Sequence, residues 1–200
     1  MQAQADLALF NGIQHLASNS GKEVSVGTAF SGSDIVHMVV KSLSEYWADA
    51  FNIEVKFKKA FACESHPDRI KHIKRALQPD HIFVDAAELC CERVHDHMSG
   101  ERKPIPWVDV FAAGFPCQSR SSANNSSRSN RGCVAKAEGE TGRGCKAIMD
   151  YLASCKPTLI LLEIVTPIAE VSDDGSGLSD ADIVLPFLSG VLERSVLRTQ

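Results

Sequence analysis

Val24-Ser25-Val26-Gly27-Thr28-Ala29-Phe30-Ser31-Gly32-Ser33-Asp34 is a short apolar run that breaks into a turn of small residues and leads into a helix-like stretch. A run of this kind reads as a buried strand, and the turn residues that follow let the chain reverse onto the sheet. The same rhythm recurs. Strands are predicted at Val24–Phe30, Lys56–Cys63, His81–Val84, Val108–Ala113 and Thr158–Glu163, with helices at Asp34–Ala50, Pro67–Leu77, Ala87–Met98 and Cys145–Cys155. Asp34 suits an N-cap, Pro67 suits a first helical turn, and Pro157 marks the end of the fourth helix. Alternation of strand and helix implies an α/β fold, a doubly wound Rossmann-like parallel sheet with helices on both faces.

Composition bounds the function. The 200 residues, 44% hydrophobic, suffice for one compact domain and are few for two. A formal net charge of -4 with 23% charged residues excludes a bulk polyanion binder, so any nucleic-acid contact must come from a local patch. No segment has the length and apolarity to span a bilayer and no secretory leader is recognisable, which predicts an intracellular protein without a membrane partner. The seven cysteines include no Cys-x-x-Cys pair. Cys90, Cys91, His95 and His97 cluster in sequence but lack a second ligand pair, so a half-exposed helix is preferred there and no metal is expected.

Two segments interrupt the rhythm. Ser119–Thr141 is rich in Ser, Asn, Arg and Gly without apolar periodicity and reads as a long loop. From Ser119 through Ala137 it carries Arg120, Arg128, Arg131 and Lys136 and no acid, which fits either a solvated loop or one that grips phosphates. Ser172–Asp180 is a turn-rich break before a last helix from about Asp182 to Leu197. Residues 1–22 are assigned to an N-terminal helical extension and 23–200 to one α/β domain.

Ligands of open α/β sheets lie at the carboxyl ends of the strands, and polar residues stand at each predicted end here. The first ends in Phe30-Ser31-Gly32-Ser33, where backbone can approach a ligand. The second ends in Cys63-Glu64-Ser65, and an acid there can accept hydrogen bonds from both hydroxyls of a ribose. Gly32 and Glu64 lie 32 residues apart, more than the about 20 of a dinucleotide fingerprint, and an extended first helix would account for the excess. After the third strand, Asp85-Ala86 offers an acceptor for an adenine amine, although a lone Asp is also an ordinary helix cap. Together they describe a pocket for an adenosine-containing cofactor.

The fourth strand leads into Gly114-Phe115-Pro116-Cys117-Gln118. A cysteine past a strand end, followed by a basic loop, is placed to be a thiolate nucleophile. Cys63 and Cys155 read instead as inert, buried thiols. The fifth strand runs into Glu163, a carboxylate beside apolar residues whose desolvation would favour sharing a proton.

In this order, from about Val24 to Val165, the residues resemble the cytosine-5 DNA methyltransferase family. Phe30-Ser31-Gly32 resembles its first cofactor motif, Glu64 its ribose acid and Asp85 its adenine-contacting acid. Gly114-Phe115-Pro116-Cys117-Gln118 resembles its nucleophile motif, and Gly142-Arg143-Gly144 leading to Glu163-Ile164-Val165 is similar to the stretch ending in its Glu-Asn-Val motif. The resemblance implies S-adenosyl-L-methionine as cofactor, held by Phe30, Ser31, Gly32, Ser33, Glu64, Ser65, Asp85, Ala86 and Pro116. It implies Cys117 as nucleophile at carbon 6 of a flipped cytosine in DNA, with Glu163 holding the ring edge. Gln118, Arg120, Ser121, Arg128, Arg131 and Arg143 would contact the nucleic acid. The resemblance implies a place in the nucleus if the source is eukaryotic, or in the cytoplasm if it is bacterial or viral.

Three departures stand out. Asp34 replaces a second glycine of the first motif, where its carboxylate would crowd the cofactor's own. Ile164 replaces the Asn of Glu-Asn-Val. The family's later motifs, with its target-recognition region, are not recognisable between Val165 and Gln200, so the resemblance implies that 23–200 is a partial catalytic domain: a fragment, a truncated gene product, or half of a split enzyme whose missing motifs a complementing chain would carry. A catalytically impaired regulatory or scaffold homologue, and an RNA cytosine-5 methyltransferase, remain alternatives.

Overall fold

The computed structural model describes residues 23–51, 54–114, 132–134, 136–163 and 177–196, together with residues 11, 169 and 171. The expected N-terminal extension therefore lies, apart from Asn11, outside the described residues. In chain order the elements are β1 (Glu23–Ala29), α1 (Ile35–Phe51), β2 (Lys56–Cys63), α2 (Pro67–Ala76), β3 (His81–Phe83), a 3-10 helix (Ala86–Cys90), β4 (Val94–His95), β5 (Arg102–Lys103), β6 (Val110–Ala113), α3 (Gly139–Cys155), β7 (Leu159–Leu162) and α4 (Ala181–Val196).

Five strands pair in the order β3-β2-β1-β6-β7, and all four pairings are parallel. The order reverses between β1 and β6, so a crevice opens at the carboxyl ends of those strands. Asp109 fixes the register at the opposite end, where its carboxylate accepts from Ser25 N at 2.8 Å and Ser25 Oγ at 2.6 Å.

Side chains alternate across the strands and bury both faces. Phe61, Phe83 and Phe111 point to one side, where they pack with Tyr151 of α3; the Phe111 and Tyr151 ring centroids are 4.4 Å apart. On the other side Val24, Val26 and Val110 pack against Trp47 of α1, and Ala62 and Ile82 against Ile70 and Ile73 of α2. One close approach makes this possible. A β-carbon on Gly27 would lie 2.3 Å from Cε1 of Phe61, at a register shift between β1 and β2.

The helix ends follow local chemistry. Pro67 occupies the first turn of α2, and His66 caps it by accepting from Asp68 N. Lys156 closes α3 in the left-handed conformation, just before Pro157. At α4, Ser179 N and Oγ both donate to Asp182 Oδ2 at 2.7 Å, which lowers the Asp182 carboxyl below its ordinary range.

Two expectations are corrected. The helix predicted over Ala87–Met98 is instead a 3-10 turn followed by the β4-β5 hairpin. Asp96 dictates this: buried, it accepts from Ile82 N, Met98 N, Ser99 N, Ser99 Oγ and His81 Nδ1, bonds that compete with helix formation. The loop expected to reach Thr141 gives way earlier, since Cys133 and Val134 are buried and α3 begins at Gly139. Gly142 permits that packing, because a β-carbon there would lie 2.1 Å from the Cys133 carbonyl oxygen.

The last helix covers Ala181–Val196, and no helix among the described residues is long and apolar enough to cross a membrane. The outer face of α1 is apolar and exposed, with Ile35, Met38, Val39 and Tyr46 forming a shallow groove.

Gly27→Ala is expected to destabilise the protein by about 1–3 kcal/mol through overpacking against Phe61, measured by urea unfolding. Desolvation opposes ionisation of Asp96, but its hydrogen bonds outweigh it and hold the carboxyl at about 2, against an ordinary 3.8. Since the folded value is the lower, the stabilisation, about 2 kcal/mol, is complete above about pH 4 and lost as pH falls toward 2. Asp96→Asn should therefore be less stable than the wild type at neutral pH, with the gap narrowing between pH 4 and 2.

Candidate active site

The carboxyl ends of β1, β2, β3 and β6 open onto one cleft of about 880 Å³. Phe30 closes it at the end of β1, Cys63, Glu64 and Ser65 at the end of β2, Val84, Asp85 and Ala86 after β3, and Gly114 after β6. The remaining wall is the face of α3 formed by Glu140, Arg143, Gly144 and Ala147. This i, i+3, i+4, i+7 spacing places all four on one side of a helix, and the small size of Gly144 and Ala147 leaves the wall open.

Glu64 is the polar centre. Although only 5% exposed, its Oε2 accepts from Gly32 N at 2.7 Å and its Oε1 from His66 N at 2.8 Å. The Arg69 guanidinium stands 3.7 Å from Oε2. Two carboxylate oxygens offer about four acceptor positions, so these amides leave capacity for further donors. The neighbouring turn is tied to the same strand: Ser31 N and Ser31 Oγ both donate to the Cys63 carbonyl, at 3.1 and 3.2 Å. Asp85 is exposed at the rim and caps the 3-10 helix by accepting from Ala87 N at 2.9 Å.

Burial first, then the nearby charges of Asp85 and Glu64, push the Cys63 thiol well above the ordinary range, which makes it an inert wall residue. Cys155 is half-buried and its thiol is likewise raised, chiefly by burial.

Glu163 follows β7 and is anchored by its backbone, with Glu163 N donating to Ala113 O at 2.9 Å. A β-carbon on Gly114 would lie 3.0 Å from Glu163 Oε2 and 3.6 Å from Glu163 Cβ, so the glycine makes room for this acid. The expected desolvation is corrected, because the Glu163 side chain is exposed. Among the described residues β7 is an edge strand of the sheet, and even its Leu161 is 36% exposed.

Asp34 is corrected as well. Its side chain is fully buried, 2.6 Å from His37 Nδ1, and does not line the cleft. Its φ is 57°, and its carboxylate is turned to His37 and away from the cleft.

Of the residues expected to hold a cofactor, the structure brings Phe30, Glu64, Ser65, Asp85 and Ala86 together around the cleft. Ser31, Gly32 and Ser33 shape the adjoining turn without lining it. Arg143, expected at the nucleic acid, lies in the cleft wall. Pro116, Cys117, Gln118, Arg120, Ser121, Arg128 and Arg131 lie outside the described residues, as does Ile164. Sequence reasoning missed His66, Arg69, Glu140, Gly144 and Ala147. The helical spacing of the last two with Arg143 was the available signal. Among the described residues, no group of His, Cys, Asp and Glu is arranged to hold a metal ion.

No family model matches the chain. Over 147 residues, 73% of the chain, it is 26% identical to the DNA (cytosine-5-)-methyltransferase DMT5 of Cryptococcus neoformans var. grubii. This similarity supports a relationship of the chain to the cytosine-5 DNA methyltransferase family. The matched region spans about 6% of the length of that curated methyltransferase. The parallel sheet wrapped by helices is the α/β architecture of a Rossmann-like methyltransferase.

Glu64→Ala would leave the Gly32 and His66 amides without their acceptor. The expected loss is about 2 kcal/mol in urea unfolding, with Glu64→Gln intermediate because it keeps one carbonyl acceptor.

Proposed function

We propose that the chain binds S-adenosyl-L-methionine in this cleft and transfers its methyl group to carbon 5 of a cytosine in DNA. The observation that carries this reading is the position of Gly114, which lines the cleft and at the same time abuts the Glu163 carboxylate. Cys117 is three residues further along, and three residues cannot carry it more than about 11 Å from Gly114. A nucleophile, an acid and a cofactor pocket would thus converge within the span of one nucleoside.

The cleft suits the cofactor chemically. Glu64 has acceptor capacity for ribose hydroxyls, Asp85 presents a carboxylate at the rim for an exocyclic amine, and Phe30 and Val84 offer apolar contact for a ring. Arg143 lines the cleft, which supports a role toward the cofactor in place of the DNA phosphates. When bound, the cofactor supplies an electrophilic methyl group.

The remaining chemistry falls to protein side chains. Cys117, as thiolate, forms a bond to carbon 6 of cytosine, and the displaced electron pair makes carbon 5 nucleophilic. Glu163 holds the N3 and amino edge of the ring and stabilises the charge that develops there. Methylation of carbon 5, loss of its proton and departure of the Cys117 thiolate restore the aromatic ring. The target base must leave the duplex to be reached, and the basic segment with Arg120, Arg128 and Arg131, together with Gln118 and Ser121, would hold the flanking strand.

Covalent trapping tests this. With S-adenosyl-L-methionine and duplex DNA containing 5-fluorocytosine, the chain should form a stable protein-DNA adduct, because the fluorine at carbon 5 cannot leave as a proton does. Cys117→Ser should form none, and Glu163→Gln should slow adduct formation by about 10²- to 10³-fold. Absence of an adduct from the intact chain, or an adduct formed only with a fluorinated transfer RNA, would reject the reading.

A further inference from the structure

Three of the five residues from Phe30 to Asp34 have left-handed backbones, with φ of 53° at Phe30, 58° at Gly32 and 57° at Asp34. This conformation costs nothing at glycine but roughly 1–2 kcal/mol at a residue with a β-carbon. On its upstream side the turn is tied to β2, through Ser31 N to the Cys63 carbonyl and Gly32 N to Glu64 Oε2. On its downstream side stands a buried pair. Asp34 Oδ2 is 2.6 Å from His37 Nδ1, His37 Nε2 is 3.3 Å from the carbonyl of Val26 on β1, and both side chains are 0% exposed.

Proton counting shows that this pair is a unit. The Val26 carbonyl can only accept, so His37 Nε2 must carry a proton, and the 2.6 Å contact needs a second one between Nδ1 and the carboxyl. Either tautomer leaves the pair neutral overall, which is what tolerates its burial. Asp34 Oδ1 has no hydrogen-bond partner among the described residues, so the carboxyl is oriented by His37. Asp34 N closes the turn by donating to Ser31 O at 2.6 Å.

We propose that Asp34 and His37 are positioning residues for the cofactor turn, a buried clamp that fastens the left-handed backbone at residue 34 to β1. Asp34 holds there, with the help of His37, a shape that glycine would adopt unaided. Through the turn the clamp sets Phe30 at the cleft and the Gly32 amide on Glu64. The inference rests on the cofactor reading above for its consequence, but its structural content is the state of the Gly32 amide.

The test is a double-mutant cycle in the full 200-residue chain. It reads calorimetric affinity for S-adenosyl-L-homocysteine and hydrogen exchange of the Gly32 amide by NMR, well below the unfolding temperature of each variant. His37→Leu should weaken binding and accelerate Gly32 exchange, each by about tenfold or more. Adding Asp34→Gly should return both to within about threefold of the wild type, since glycine needs no clamp and no carboxylate is left buried. A purely space-filling histidine would not be rescued this way.

Unchanged Gly32 exchange in His37→Leu, or a folded double variant with Gly32 still unprotected, would overturn the clamp. If His37→Leu alone does not fold, the double variant decides: folding with Gly32 protected supports the clamp, and any other result overturns it. If the wild type fails to bind S-adenosyl-L-homocysteine while Gly32 exchange follows the expected pattern, the cofactor reading falls and the clamp stands.

Discussion

The ring of Phe61 lies where a side chain on Gly27 would have to be. That single exchange of volume lets the central strand approach its neighbour closely while an aromatic ring fills the layer above it. Phe83, Phe111 and Tyr151 then pack around Phe61, and Tyr151 brings α3 down onto the sheet. Interiors are packed densely enough that such a contact transmits position. The face of α3 bearing Arg143, Gly144 and Ala147 consequently stands opposite Phe30 and Glu64, and the cleft between them is a product of this packing.

The rim of the cleft depends on polar bonds. Glu64 takes amides from two different loops, Gly32 ahead of α1 and His66 ahead of α2, so one buried carboxylate coordinates both. Ionised carboxylates make strong hydrogen bonds to backbone N-H groups and hold such loops in a defined geometry. The same acid retains acceptor capacity toward the cleft. One side chain thus ties two loops together and faces the cleft, and the contact of Gly114 with Glu163, just past the ends of the adjacent strands β6 and β7, brings a second acid to the same edge.

Much of this was legible from residue order. All five strands of the main sheet and the helices around them appear close to their expected places, because apolar runs bounded by turn residues have few other ways to bury themselves. Glu64, Asp85 and Phe30 stand at strand ends as the pattern required. Where the reading erred, a long-range or side-chain partner had intervened. Asp96 drew the backbone of Met98 and Ser99 out of a helix, and Gly142 let Cys133 and Val134 pack where a solvated loop was expected. Asp34 turned inward to His37, and no inspection of the turn alone could have separated that arrangement from one facing a ligand.

By itself, then, the sequence determined which segments form the five strands of the main sheet, which of their ends bear acids, and in what order those ends occur along the chain. These properties follow from periodicity and local chain stiffness, which act over a few residues. Only the tertiary structure decided which ends share a cleft, that Arg143 belongs to its wall, that Glu163 is exposed beside Gly114, and that Asp34 is buried. Each of these depends on contacts between groups far apart in the chain, or on the burial that those contacts create, and no local pattern records the energy of such a meeting.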